Sequence, residues 1–129
     1  MPTRRVMLDH VTIGVSDLQR SRAFYEHALA PLGFDQTSTS DVMPGEIEFG
    51  SADKLDFAIS TEYGVGAPVH IAFAADSIEQ VHAFHDAALA AGGREHGRPG
   101  PRPHYGDGYY GAFVLDPDGH NVEAVFHRE

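Results

Sequence analysis

The sequence predicts an α+β fold built from two copies of one βαβββ unit. Three observations carry that prediction: an internal repeat, helix-start signals at matching places in both copies, and short alternating runs after each helix. Residues 9–33 match residues 69–93 at a constant shift of 60, pairing His10 with His70, Val11 with Ile71, Ile13 with Phe73, Phe24 with Phe84, Ala28 with Ala88, Leu29 with Leu89 and Gly33 with Gly93. Self-similarity over that length marks a repeated structural unit. One domain over 1–129 is expected, with modules at 8–61 and 68–127. A chain of 129 residues buries roughly two thirds of the surface its unfolded form exposes, so no disulfide or structural metal is needed to explain folding.

Each copy opens with a strand, residues 9–15 and 69–75. A helix follows. Ser16 with Gln19 and Asp76 with Glu79 have capping-box spacing and mark the two helix starts. Leu18, Tyr25, Leu29 and Leu32 share one helical face, as do Ile78, Val81, His85, Ala88 and Leu89, so each helix has an apolar stripe to lay on a sheet. Pro31 is expected to end or kink the first helix in its last turn. Alternating runs at 46–49, 55–60, 111–115 and 121–126 read as antiparallel strands. Asp116-Pro117-Asp118-Gly119 reads as a turn between the last two.

The second copy carries about seven extra residues, since Leu55-Asp56-Phe57 aligns with Val122-Glu123-Ala124 at a shift of 67 in place of 60. The insertion falls at 98–108. That stretch is rich in proline and glycine and reads as an irregular loop over a site.

Composition narrows the function. With no cysteine among its residues, the chain has neither disulfides nor thiolate catalysis. A formal charge of −10 disfavours nucleic acid, whose nonspecific binding is driven by lysine and arginine. No apolar run approaches the roughly 18 residues of a membrane helix, and Asp9 and His10 interrupt any leader pattern behind Arg4 and Arg5. A soluble cytoplasmic protein without membrane or nucleic-acid partners is expected. Nine histidines are the unusual feature, because imidazole both titrates near neutrality and binds metals.

Strand alternation gives those histidines a direction. Val11, Ile13 and Val15 suit the helix-packing face, which leaves His10, Thr12 and Gly14 on the other. Val69, Ile71, Phe73 and Ala75 likewise leave His70, Ala72 and Ala74. In the late strands Phe57 and Ile59 oppose Asp56, Ala58 and Ser60, while Val122 and Ala124 oppose Asn121, Glu123 and Val125. Two histidines and two carboxylates, His10, His70, Asp56 and Glu123, thus share the face away from the helices, with small neighbours that leave room for a ligand. Histidine nitrogen and carboxylate oxygen suit zinc, iron, nickel, cobalt or manganese, and His10, His70 and Glu123 have the composition of a two-histidine, one-carboxylate facial triad. Asp56 would be a fourth ligand, a partner orienting a histidine, or a general base. His104, beside Arg102, Tyr105, Tyr109 and Tyr110, is a candidate to close over a substrate. His27, His82, His85 and His127 read as helix-stripe or surface residues, and His120 as structural.

Asp9-His10-Val11, Val69-His70-Ile71 and the run from Asp116 through Gly119 and His120 to Glu123 together resemble the vicinal oxygen chelate group, also called the glyoxalase, bleomycin-resistance and dioxygenase group. Residues 102–113 look like those of small stand-alone glyoxalase-like proteins. The resemblance implies an incomplete mixed-sheet barrel of two βαβββ modules around a cleft, a divalent metal (zinc, nickel, manganese or ferrous iron), and a homodimer that often builds each site from two chains. The metal positions of the glyoxalase I type fall on His10, Asp56, His70 and Glu123. Asp56 departs from the glutamate or glutamine of that type and is one methylene shorter. Extradiol dioxygenases use the positions of His10, His70 and Glu123 with iron, usually over two such domains. Thiol transferases of the fosfomycin-resistance type share those three positions.

The expected activity is a metal-dependent reaction on a small carbonyl, enediol or catechol-like substrate, by isomerisation, lyase, addition or dioxygenase chemistry. Asp56, Glu123 or His104 would act in proton transfer, Arg98 or Arg102 would hold an anionic group, and Tyr105, Tyr109 and Tyr110 would contact substrate. The alternative is a metal-free protein that sequesters a small molecule, as bleomycin-binding members of the group do.

Overall fold

The computed structural model of the chain describes residues 7–39 and 44–128. The basic N-terminal residues 1–6 lie outside that description. The first half folds as β1 (Val11–Gly14), α1 (Leu18–Leu29), a 3₁₀ turn (Ala30–Leu32), β2 (Gln36–Thr39), β3 (Glu46–Gly50) and β4 (Phe57–Ser60). The second repeats it as β5 (His70–Ala74), α2 (Ile78–Ala90), β6 (Arg94–Pro101), β7 (Tyr109–Leu115) and β8 (Asn121–His127). Each half forms its own four-stranded sheet, ordered β1-β4-β3-β2 and β5-β8-β7-β6. In each, the first and last strands pair in parallel, and the other neighbours are antiparallel. The two mixed sheets stay separate and do not close into a barrel. No helix among the described residues is long and apolar enough to cross a membrane.

Both helix caps sit one residue later than the sequence reading placed them. Asp17 accepts from the Arg20 amide at 3.1 Å, and Ser77 accepts from the Gln80 amide at 3.1 Å, so orphan first-turn donors are satisfied in both helices. Gln80 returns its own Oε1 to the Asp76 amide at 2.7 Å. Ser16 is released from capping and bonds elsewhere. Helix α1 stops at Leu29, and Pro31 sits in the 3₁₀ turn that follows, because a ring without an N–H cannot continue the α-helical ladder.

The helix-facing sides of the two sheets and the two helices share one core, in which the helices touch each other. A file of aromatic rings crosses between halves: Phe24 on Tyr25 at 4.9 Å, Tyr25 on Phe57 at 5.0 Å and Phe57 on Phe73 at 5.1 Å between ring centroids, all edge-to-face. Edge-to-face contact is the arrangement the ring quadrupole favours. Tyr25 is fully buried and spends its hydroxyl on Asp116 Oδ2 at 2.5 Å. Burial, with the Asp116 charge beside it, pushes the Tyr25 phenol well above its ordinary range, so it stays a donor.

The β7–β8 turn holds the two halves in register. Asp116 Oδ1 accepts from the amides of Asp118 and His120, each at 2.9 Å. Asp118 reaches the first half, accepting from the Ser16 amide at 3.1 Å and from its hydroxyl. His120 is fully buried; its Nδ1 accepts from the Val69 amide at 3.1 Å, so its Nε2–H donates to the Gly14 carbonyl at 2.8 Å. Gly14 must lack a side chain there, since a Cβ would lie 1.6 Å from the Gly64 carbonyl oxygen. The expectation of a structural His120 agrees with this geometry. Replacing His120 with Ala leaves the Val69 amide and the Gly14 carbonyl without their part-buried partner and opens a void where a fully buried ring stood, a loss of about 3 kcal/mol. Thermal denaturation of His120→Ala is expected to show a midpoint lowered by about 10 °C.

Candidate functional site

On the second sheet, register places Gly97, Phe113, Glu123 and Ala72 in one row across the four strands. Directly opposed residues share a face, so these side chains stand on the side away from α2. Small residues at both ends of the row leave space beside the carboxylate. Glu123 is 1% exposed, and among the described residues no lysine or arginine pairs with it. Its Oε2 accepts a hydrogen bond from the Tyr109 hydroxyl, and its Oε1 lies 3.2 Å from His70 Nε2. Gly111 makes this meeting possible, because a Cβ there would lie 2.8 Å from Glu123 Oε2. Burial first, and the hydrogen bond to Glu123 second, raise the Tyr109 phenol above its ordinary value. It therefore remains protonated and donates.

His70 Nδ1 lies 3.0 Å from the Asn121 carbonyl oxygen. A carbonyl only accepts, so Nδ1 carries a proton; Nε2 turns its lone pair toward Glu123 when the ring is neutral and donates to that carboxylate when the ring is protonated. Phe113 stacks beside the ring, with centroids 6.0 Å apart and planes 26° apart.

His10, one residue before β1, is built by the same logic. Its Nδ1 lies 2.8 Å from Asp9 Oδ1, and Lys54 donates to the other Asp9 oxygen. The hydrogen bond from His10, followed by that from Lys54, holds the Asp9 carboxyl below its usual range. Asp9 is thus an acceptor at neutral pH, and a neutral His10 also keeps Nε2 free. A metal-binding histidine nearly always gives its other ring proton to a carboxylate or carbonyl. Both histidines meet that condition.

The four predicted ligands fall into two pairs. His10 and Asp56 stand one residue before β1 and β4 of the first half, and His70 and Glu123 lie in β5 and β8 of the second. His10, Asp56 and His70 line one cleft of about 400 Å³ with an apolar floor that includes Phe49, Phe57 and Phe73. Glu123 does not line it. Among the described residues no three His, Asp or Glu side chains approach closely enough to hold one ion. The His70–Glu123 pair alone has the spacing for it: two donors roughly 2.1 Å from one ion stand roughly 3.0–3.4 Å apart between right-angle and tetrahedral placement, against the observed 3.2 Å. The donor types and tautomers therefore fit a metal, and the single chain supplies half of the set in contact.

The other candidates separate further. Residues 98–101 are not loop but the end of β6, which is paired to β7 through irregular register around Gly97 and Gly100. The connection proper is 102–108, where the His104 ring lies tilted against Tyr105 with centroids 4.1 Å apart and Tyr105 meets Tyr109 edge-to-face at 5.2 Å. His104 thus reaches Glu123 only through two intervening rings. Tyr110 lies on the opposite face from Tyr109 and meets His82 Nε2 on α2 at 2.7 Å. The Arg102 guanidinium turns back on the end of β6, donating to the carbonyls of Arg98 at 2.7 Å and Gly100 at 2.9 Å. Arg98 is exposed. Sequence reasoning missed Asp9, Phe113, Gly111 and the Asn121 carbonyl. Asp9, next in sequence to His10 and acidic, was the one visible signal.

Comparison with known proteins agrees with the architecture. The model of the Glyoxalase/Bleomycin resistance protein/Dioxygenase superfamily matches residues 7–124. A glyoxalase/bleomycin resistance protein from Albidiferax ferrireducens is 34% identical, covers 94% of this chain and 99% of its own, and superposes with a TM-score of 0.80. A probable lactoylglutathione lyase from Vibrio parahaemolyticus is 29% identical over 93% of this chain and 90% of its own length. The lactoylglutathione lyase structure from Agrobacterium tumefaciens, 19% identical with a TM-score of 0.68 over 97% of this chain and 95% of that one, shares the fold. With two repeated four-stranded sheets and a family model spanning both, the chain belongs to the glyoxalase/bleomycin resistance protein/dioxygenase superfamily.

Proposed function

We propose that the protein is a metal-dependent glyoxalase-like enzyme that moves a proton on a small carbonyl or enediol substrate, with isomerase or lyase chemistry. The supporting observation is the His70–Glu123 pair: a carboxylate 1% exposed faces an imidazole whose protonated nitrogen is turned to Asn121. A buried carboxylate without a cation costs several kcal/mol, and a divalent ion between the two acceptors would offset that cost. The Vibrio relative's name, lactoylglutathione lyase, favours proton transfer over ring cleavage.

A divalent zinc, nickel, manganese or ferrous ion held there supplies Lewis acidity toward a substrate oxygen. The chain's own residues do the rest. Tyr109 fixes one Glu123 oxygen and leaves the other for the ion. Asp56 is exposed in the cleft and takes the proton-transfer role, while Glu123, with both oxygens engaged, takes the holding role. Tyr105 and His104, set outward from Tyr109, bound the far side.

The set is completed across a homodimer, with His10 and Asp56 from one chain meeting His70 and Glu123 of the other. Two observations favour this: the donors are split within one chain, and Met7, Leu8 and Val69 expose apolar side chains near the strands that carry the histidines. The split also favours a second reading, a metal-free protein that binds a small apolar molecule in the cleft.

Elemental analysis of untagged protein decides between them. Near-stoichiometric metal, lost in His70→Ala and Glu123→Gln, is expected; no metal after reconstitution with each of the four ions would leave the sequestering reading. Asp56→Asn is expected to keep its metal while turnover falls about 10²–10⁴-fold, the usual worth of a positioned acid or base. Equal metal and equal turnover would remove Asp56 from the chemistry. Tyr109→Phe leaves Glu123 Oε2 without its donor and should weaken metal affinity about tenfold in a chelator competition, as loss of a partner behind a ligand does. Mixing His10→Ala with His70→Ala chains under exchange should restore about a quarter of the sites, because half of randomly paired dimers are mixed and each mixed dimer has one intact site. A site within one chain would restore none.

A further inference from the structure

We infer that Arg102 is a positioning residue for His70, acting through Phe113. The inference rests on the reading of His70 and Glu123 as the metal-holding pair. Arg102 donates from Nη2 to the Arg98 carbonyl at 2.7 Å and from Nη1 to the Gly100 carbonyl at 2.9 Å and, more weakly, the Pro101 carbonyl at 3.4 Å. Those bonds fix the plane of the guanidinium. Its central carbon then lies 5.5 Å from the Phe113 ring centroid, within the range of cation–π attraction.

Two glycines in β6 make room for this arrangement. A Cβ at Gly97 would lie 2.8 Å from Phe113 Cδ1 and 3.3 Å from Arg102 Nη2, and one at Gly100 would lie 3.2 Å from Arg102 Nη1. The irregular β6–β7 register falls at these same residues, so the bulged strand and the folded-back arginine form one device. A bulge commonly serves to re-aim a side chain.

His70 needs such support. Its side chain is half exposed, and its two polar contacts, Asn121 O and Glu123 Oε1, leave the ring able to tilt about its side-chain torsions. Phe113, lying within 26° of parallel, limits the tilt. Phe113 is itself only half-buried, and Arg102 restrains it. The main-chain bonds commit both Nη1 protons and one on Nη2, so three of the five guanidinium donors hold the group in place over Phe113.

The test uses the full chain with Arg102→Ala, Arg102→Lys and Phe113→Leu. Lysine keeps the charge but cannot reproduce the planar, multiply bonded stack. Imidazole nitrogen NMR on the metal-free protein, at a pH where the rings are neutral, reads the tautomers of His70 and His120. In all three variants His70 is expected to lose its Nδ1–H preference while His120 keeps Nε2–H, which separates positioning from general unfolding. Affinity for Zn²⁺ alone, by competition with a chromophoric chelator, should fall about tenfold in each. An unchanged His70 tautomer in Arg102→Ala would overturn the inference, as would Arg102→Lys behaving as wild type. If His70→Ala also leaves Zn²⁺ affinity untouched, the metal reading fails, and the tautomer measurement still decides the role of Arg102.

Discussion

The docking of the turn at residues 116–120 onto the corner between β1 and α1 is the constraint on which the rest depends. Among the described residues the two sheets exchange no ladder hydrogen bonds, and the shared core is held by apolar burial, which is favourable but non-directional. Direction comes from the turn. Asp118 takes the Ser16 amide, His120 spans Val69 and Gly14, and Asp116 takes the Tyr25 hydroxyl from the middle of the aromatic file. Strand β8 begins at the very next residue. The position of the turn therefore sets where Asn121 and Glu123 stand, and through the Asn121 carbonyl it sets the ring of His70.

Two buried carboxylates on the same strand pair show how one residue type is used in two ways. Asp116 is 1% exposed, with both oxygens satisfied: two amides on Oδ1 and the Tyr25 hydroxyl on Oδ2. Glu123 is buried to the same degree and also has a tyrosine on one oxygen, but its second oxygen meets only Nε2 of His70, which donates to it in the protonated ring alone. Burial is equal, and the donor count differs. A fully satisfied carboxylate fixes structure; an under-satisfied one retains an appetite for positive charge.

Much of this was legible in the residues. The repeat showed both helices, and the alternation of apolar and polar residues in β5 and β8 carried the shared face of His70 and Glu123, whereas His10 falls one residue before β1. The rest was hidden for physical reasons. Strands β2 and β6 lie at sheet edges and are polar or interrupted by proline and glycine, so neither offers an alternating apolar signal. Caps shifted by one residue because Ser16 and Asp17 are both good cap residues, and only the tertiary bond from Asp118 decides between them. Tyr109 and Tyr110 are adjacent and must face opposite ways, but which one faces Glu123 depends on register against β8. Arg102 looked like a free cation until the bulged path of β6 brought main-chain carbonyls around it.

The strand order of the two halves is the same, but their corresponding turns have separate occupations. The turn after β7 is buried against the other half, whereas the turn after β3 is exposed, closes with the Ser51 amide on the Lys54 carbonyl at 3.0 Å, and sends Lys54 to Asp9 behind His10. One twin is a keystone and the other a tuning peg. Changes at residues 51–54 can alter the surroundings of His10 without touching the joint between halves, while any change at 116–120 alters the joint first. The repeat thus leaves one corner of the molecule free to drift in chemistry while its counterpart stays committed to architecture.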